Sequence, residues 1–288
     1  MFEMLQYGFL QNAFLAGIMI AVVAPVIGVY LVLRRQSLMA DTLSHVSLAG
    51  VAIGALIGTY PMVTAMIAAL LGAVLVDTLR RSFKAYSELS IAILMSGGLA
   101  SAVVLMSFNK GASRGFTSYL FGSIIAVSTT DLLIMAGVVL LCGLFFWFFW
   151  RPMYVLTFDE ETAQVSGVPA RTLSLAFSLL AGLVVAVAMP IVGVLLVSSL
   201  MILPAAISMR ISRGFTMTVW VAVLTGLFAV LGGLTASYQL DIPPGGTIVL
   251  LLLVVLVVVL IVKRLFSLGA ASVGTDANVL RSKTVEER

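Results

Sequence analysis

Nine stretches of this chain stay apolar for long enough to cross a bilayer, and that limits the fold more than any motif does. A helix needs about 20 residues to span a hydrocarbon core of roughly 30 Å. The apolar runs lie at roughly 9–33, 40–59, 62–79, 88–108, 131–150, 171–189, 191–209, 217–236 and 245–263. Lipid offers the backbone no hydrogen bonds, so such segments must be helical. The expected fold class is an all-α polytopic membrane protein of about nine spans. It divides into a membrane domain over residues 1–266 and a loose tail over 267–288, where the sequence turns polar and loses periodicity.

Composition agrees. Hydrophobic residues make up 61% of the 288 and charged residues 10%, whereas soluble domains carry about 25% charge. That excludes a soluble enzyme, a disordered chain and a nucleic-acid binder. The single cysteine excludes a disulfide scaffold and a cysteine metal cluster.

The separators carry turn and stop signals. Arg34-Arg35 ends the first run, Tyr60-Pro61 turns the second into the third, and Pro243-Pro244-Gly245-Gly246 precedes the last. Pro190 and Gly193 are expected to break the stretch from 171 to 209, which is too long for one span. With the N-terminus outside, every Lys and Arg except Lys110 and Arg114 falls on the cytoplasmic side. That bias supports both the span count and the orientation. No basic residue precedes Arg34, so the first run is expected to be retained rather than cleaved. Residues 115–130 are too short for a span and read as a short or re-entrant helix.

Ionisable residues in apolar spans are the first functional suspects. Most acids sit at span ends or in loops. Asp41 and His45, in MADTLSHVSLAG, do not, and His45 is the only histidine. The i, i+4 spacing puts both on one helix face. At 1.5 Å per residue from about residue 35, His45 lies roughly 15 Å in, near the midplane. A carboxylate and an imidazole suit zinc, and also manganese. The bland alternative is an Asp–His contact that only locks helices together. Gly50, Gly54 and Gly58 repeat every four residues on the same span, which permits close helix approach.

The loop 151–170 holds a second feature. It contains a helix-like stretch, Asp159 to Ser166, closed by Gly167 and Pro169, with Asp159 placed as its N-cap and Glu160 and Glu161 in the first turn. Its acidic start disfavours anionic lipid, so a protein groove is the expected partner; the bland alternative is a solvated connecting helix. No G-x-x-x-x-G-K-[ST] occurs, so the chain has no P-loop for nucleotide.

At this point the residues resemble a known family. LRRQSLMADTLSHVSLAGVAIG, YLFGSI, FDEETAQVSGVP and VGVLLVSSLMILPAA are similar, in the same order, to motifs of the bacterial zinc/manganese-type ABC transporter permeases. The resemblance covers roughly residues 10–264. DTLSHVSLAG is most similar to the zinc-type permeases of Gram-positive bacteria.

The resemblance implies a translocation subunit that is not itself an enzyme, with a fold similar to the vitamin B12/siderophore-type importer permeases. Its implied partners are a second copy of itself, a cytoplasmic ABC ATPase dimer, an extracytoplasmic metal-binding protein and the lipid of the bacterial plasma membrane. No cofactor is held permanently, and Zn²⁺ or Mn²⁺ is cargo. It assigns the metal pathway to Asp41 and His45. It assigns the helix coupled to the ATPase to Phe158, Asp159, Glu160, Ala163, Val165, Gly167 and Val168. Gly50, Gly54, Pro190, Ser199 and Pro204 are expected to line the pathway or break its helices, on spans two, six and seven. The rival readings are the same machine carrying Mn²⁺ or Fe²⁺, and a stand-alone ion-coupled transporter.

Overall fold

The computed structural model describes the backbone of residues 8–82, 87–108, 113–123, 125 and 127–286, and the side chains of these except 87, 113–116 and 266–286. Among them the regular structure is helical throughout. The helices are α1 Gly8–Leu33, α2 Leu38–Ile57, α3 Pro61–Ser82, α4 Ser87–Ser107, α5 Ser113–Phe121 and α6 Thr129–Phe158. They continue as α7 Glu160–Val165, α8 Ala170–Val192, α9 Val194–Ile211, α10 Phe215–Leu240 and α11 Pro244–Glu286. Nine of the described helices, all but α5 and α7, are long and apolar enough to span a membrane.

The helices α1, α2 and α8 are mostly enclosed by the others, while α4, α6 and α11 turn most of their surface outward. That surface is apolar, with Leu133, Leu140, Trp147, Leu250 and Val254 among its exposed residues. In water such a surface would be a liability; in lipid it is solvated. α2 packs between α3 and α4 and also touches α8 and α9, while α1 packs on α9 and α10. Tyr30, fully buried, centres an aromatic cluster with Phe146, Phe177 and Phe215.

Small residues set these crossings. A Cβ at Gly50 would stand 2.5 Å from the Thr64 carbonyl oxygen, and one at Gly54 would stand 3.0 Å from the Pro61 Cα. Both glycines therefore let α2 touch the α3 backbone, as their spacing suggested. Gly58 does not share that role: it caps α2 at φ 74° with open space around it.

Three expectations are corrected. Pro190 does not break the chain: α8 runs through it to Val192, and the break falls at Gly193, with φ 86° and ψ 148°. Gly193 adopts a backbone that other residues rarely take. Pro204 likewise sits inside α9 without ending it. Residues 151–158 are not loop: α6 continues to Phe158, with a kink at Phe149. Pro152 explains both facts, because it can bend a helix about one turn upstream without ending it. The last helix, α11, carries helical backbone on beyond the ninth span to Glu286.

The segment 115–130 was expected as a short helix. Its helix α5 packs on α8, α9 and α11. Just beyond it the Ser123 amide donates to the Pro190 carbonyl at 2.9 Å. A Cβ at Gly193 would stand 2.5 Å from the Leu120 carbonyl oxygen, so this segment is seated on the α8–α9 break. Lys110 and the Arg114 side chain lie outside the described residues.

Candidate metal pathway

Asp41 and His45 lie one helical turn apart on α2, and both are half-buried. On one side of α2, Leu38 is exposed and Asp41 and His45 are half-covered; residues 47–52 are then buried, and Ile53 and Ile57 are exposed at the far end. Its other faces are packed, with Thr42, Leu43, Ser44 and Leu48 completely buried. The ionisable pair therefore lies at a half-covered patch in the first half of α2.

The pair is held from behind. The Thr42 hydroxyl lies 3.1 Å from the Leu38 carbonyl on its own helix and 3.3 Å from the Ile91 carbonyl on α4. A Cβ at Gly98 of α4 would stand 3.0 Å from the His45 carbonyl carbon and 2.9 Å from the Val46 nitrogen. Gly98 thus lets α4 press on the α2 backbone at the histidine itself. Sequence reasoning missed it, since nothing in SGGLAS separates Gly98 from Gly97, around which there is open space.

His45 Nδ1 is buried and has no hydrogen-bond partner. An imidazole left so keeps a ligating or proton-accepting position available. Among the described residues no three His, Cys, Asp or Glu side chains come together. One protomer thus brings two candidate ligands, and a closed tetrahedral metal site needs four.

α8 and α9, the other expected pathway spans, are packed in protein rather than turned to lipid. Pro190, Val197, Met201 and Pro204 are buried, and Ser199 is half-buried.

The short loop helix forms as its capping signals indicated. The Asp159 carboxylate accepts from the Thr162 amide at 3.0 Å and from the Thr162 hydroxyl. The hydroxyl first and the amide second hold this carboxyl below the usual aspartate range. At the other end the Val168 amide reaches the Ala163 carbonyl at 3.0 Å and the Gly167 amide the Gln164 carbonyl at 3.1 Å, with Gly167 at φ 79°. This is a Schellman stop, and it needs the left-handed residue. Phe158, Glu160 and Val165 face outward, Val165 being 90% exposed. Ala163, expected on the docking face, is fully buried against the chain, and Val168 is half-buried.

The architecture defines a polytopic helical membrane protein with a half-covered polar pair inside one span and an exposed, well-capped helix at one end. The chain belongs to the ABC 3 transport family, whose model matches residues 6–263. This is the class of zinc/manganese-type ABC transporter permeases that the motifs resembled. A relative from Treponema pallidum (strain Nichols), described as a "Probable metal transport system membrane protein", is 39% identical over 243 residues, covering 84% of this chain and 91% of its own. The "Manganese transport system membrane protein MntC" of Halalkalibacterium halodurans is 30% identical, covering 85% and 84%. The "High-affinity zinc uptake system membrane protein ZnuB" of Haemophilus influenzae is 28% identical, covering 82% and 90%. The solved structure of PsaBC from Streptococcus pneumoniae in complex with Fab matches with TM-score 0.80 and 30% identity, over 89% of this chain and 92% of that one.

Proposed function

We propose that this protein is the membrane-spanning subunit of an ATP-driven importer of divalent metal, that Zn²⁺ is its cargo, and that Asp41 and His45 form the ion's pathway. The orphaned, buried Nδ1 of His45, one turn from a carboxylate on a half-covered patch, carries this reading. A purely structural Asp–His contact gives no reason to leave that nitrogen without a partner. In a symmetric dimer the two patches face each other, so two carboxylates and two imidazoles meet on the axis. Two aspartates then balance one divalent charge, which lowers the cost of holding it away from water.

A second reading, Mn²⁺ as cargo, is favoured by the manganese relative, which is slightly more similar to this chain than the zinc one. The helix α7 is the docking element for a cytoplasmic ATPase. Phe158, Asp159, Glu160 and Val165 offer it an acidic, apolar-tipped face, and Gly167 fixes the angle at which the chain re-enters α8. The Arg-rich end is then cytoplasmic, the N-terminus is outside, and the opposite end receives metal from an extracytoplasmic binding protein.

Competition uptake decides between the metals. Vesicles holding this subunit and its ATPase should accumulate Zn²⁺ only with ATP, and excess Mn²⁺ should compete weakly. Preferential Mn²⁺ uptake selects the second reading. Uptake without an ATPase would refute the importer.

A further inference from the structure

At the Arg-rich end, a cavity of about 630 Å³ opens between the end of α1, the start of α2, the end of α3 and the start of α4. Arg34, Arg35, Arg80, Gln36, Ser37 and Glu88 are its polar lining. Three guanidinium groups thus share the space with one carboxylate. The nearby Asp77 carboxylate makes a bidentate pair with Arg81 at 2.8 and 3.3 Å, and Asp77 and Glu160 also act through their charge on Arg34 and Arg80.

The cavity is built, not incidental. Arg34 donates through Nη2 to Ser174 Oγ at 2.7 Å and lies over the Phe177 ring, 5.5 Å from its centroid. Its other terminal nitrogen, Nη1, is buried with no partner. Gln36 is 6% exposed, and its Oε1 is also buried and unpartnered. Burial first and the Arg80 charge second bring Arg34 down to about 10, which leaves it a full cation at neutral pH. A buried guanidinium N–H without an acceptor is costly, and arginine forks match phosphate oxygens in shape and charge.

We infer that this cavity is a binding site for a phosphate group, held by Arg34, Arg35 and Arg80 with the Gln36 amide. A basic pocket between membrane helices at headgroup depth takes a phosphate from either of two sources, an anionic lipid or the solution. The site lies one turn of α2, about 5 Å, below Asp41. On the importer reading, a bound phosphate would offset the positive field that a departing metal ion meets.

Arg35 supplies an unusual handle. It takes the left-handed position, φ 55°, in the stop that ends α1, with the Arg35 amide on the Val32 carbonyl and the Gln36 amide on the Leu31 carbonyl. Glycine is the easy residue there. Arg35→Gly should therefore raise thermal stability without ligand and at the same time weaken phosphate binding.

The test follows unfolding of the full chain in a zwitterionic detergent, without transport, so it stands or falls apart from the metal reading. Inorganic phosphate is titrated against chloride at constant ionic strength, and in a second arm phosphatidylglycerol against phosphatidylcholine. A saturable rise in Tm is expected in at least one arm, and the responding arm names the source. Arg80→Gln should shift half-saturation at least tenfold, and Arg35→Gly should do so while starting from a higher Tm. No saturable rise in either arm overturns the proposal. So does a rise of equal midpoint in wild type and Arg35→Gly, which serves even if Arg80→Gln fails to fold.

Discussion

Replacing Gly98 by alanine should disturb the metal pair, while the same change one residue earlier should not. Both glycines lie inside α4. A Cβ at 97 meets nothing within 4 Å, and one at 98 would stand 2.9 Å from the Val46 nitrogen and 3.0 Å from the His45 carbonyl carbon. Ordinary contacts of this kind are about 3.5 Å, so α2 or α4 must give by roughly half an ångström. Alanine in a helix gains about 1 kcal/mol over glycine at either position. Overpacking costs about 1–3 kcal/mol, at 98 alone. The difference between the two variants is the cleaner quantity, because the propensity gain cancels in it. It corresponds to several degrees in Tm for a chain of this size. The backbone pushed aside carries His45, so uptake should fall about tenfold or more in Gly98→Ala and stay near wild type in Gly97→Ala. Thermal unfolding in detergent and metal uptake in vesicles measure the two effects. Equal Tm and equal uptake for both variants would refute the reasoning.

Further outcomes follow from the same geometry. Gly167→Arg places a side chain at φ 79° where there is open space, so backbone strain rather than a clash opens the Schellman stop. ATP hydrolysis should continue while uptake falls, with the Tm of the spans unchanged. Tyr60→Phe removes the 2.6 Å bond from the Tyr60 hydroxyl to the Asp131 carboxylate, and should cost about 1 kcal/mol in unfolding measurements at this half-open site. The Asp159 carboxyl lies below its ordinary value because Thr162 donates to it. Its cap is fully present above the unfolded value near 3.9 and is lost as pH falls through the lower folded one. ATP-coupled uptake should therefore show no loss traceable to α7 between pH 5 and 8. Asp159→Ala should weaken coupling equally across that range.

The sequence was legible where one strong physical demand acted alone. Lipid forces long apolar runs to be helices, so the spans could be read off hydropathy. The α7 cap and stop were equally visible, because Asp159 and Gly167 act on backbone a few residues away. Prolines misled. Pro190 lies inside α8 and Pro152 inside α6, and neither ends its helix. The break falls instead at Gly193, whose positive φ other residues rarely take. The candidate site was half legible. Asp41 and His45 stood out as costly groups in a span, but Gly98 behind them and the Arg34–Gln36 cavity below them are products of helix packing. Arg34-Arg35 marked a span end, and nothing local showed that Ser174, some 140 residues away, would hold one arginine nitrogen and leave the other buried alone.

The central claim is that Asp41 and His45 of α2 form the ion's pathway. Its most direct test is ATP-dependent ⁶⁵Zn²⁺ uptake by vesicles carrying this subunit with its ATPase, comparing wild type, Asp41→Ala and His45→Ala at matched protein levels and with Tm recorded for each. Neither side chain is deeply buried, so both variants should fold with Tm near wild type. Each should lose uptake about a hundredfold or more while ATP hydrolysis persists. Uptake near the wild-type rate in either variant would contradict the account.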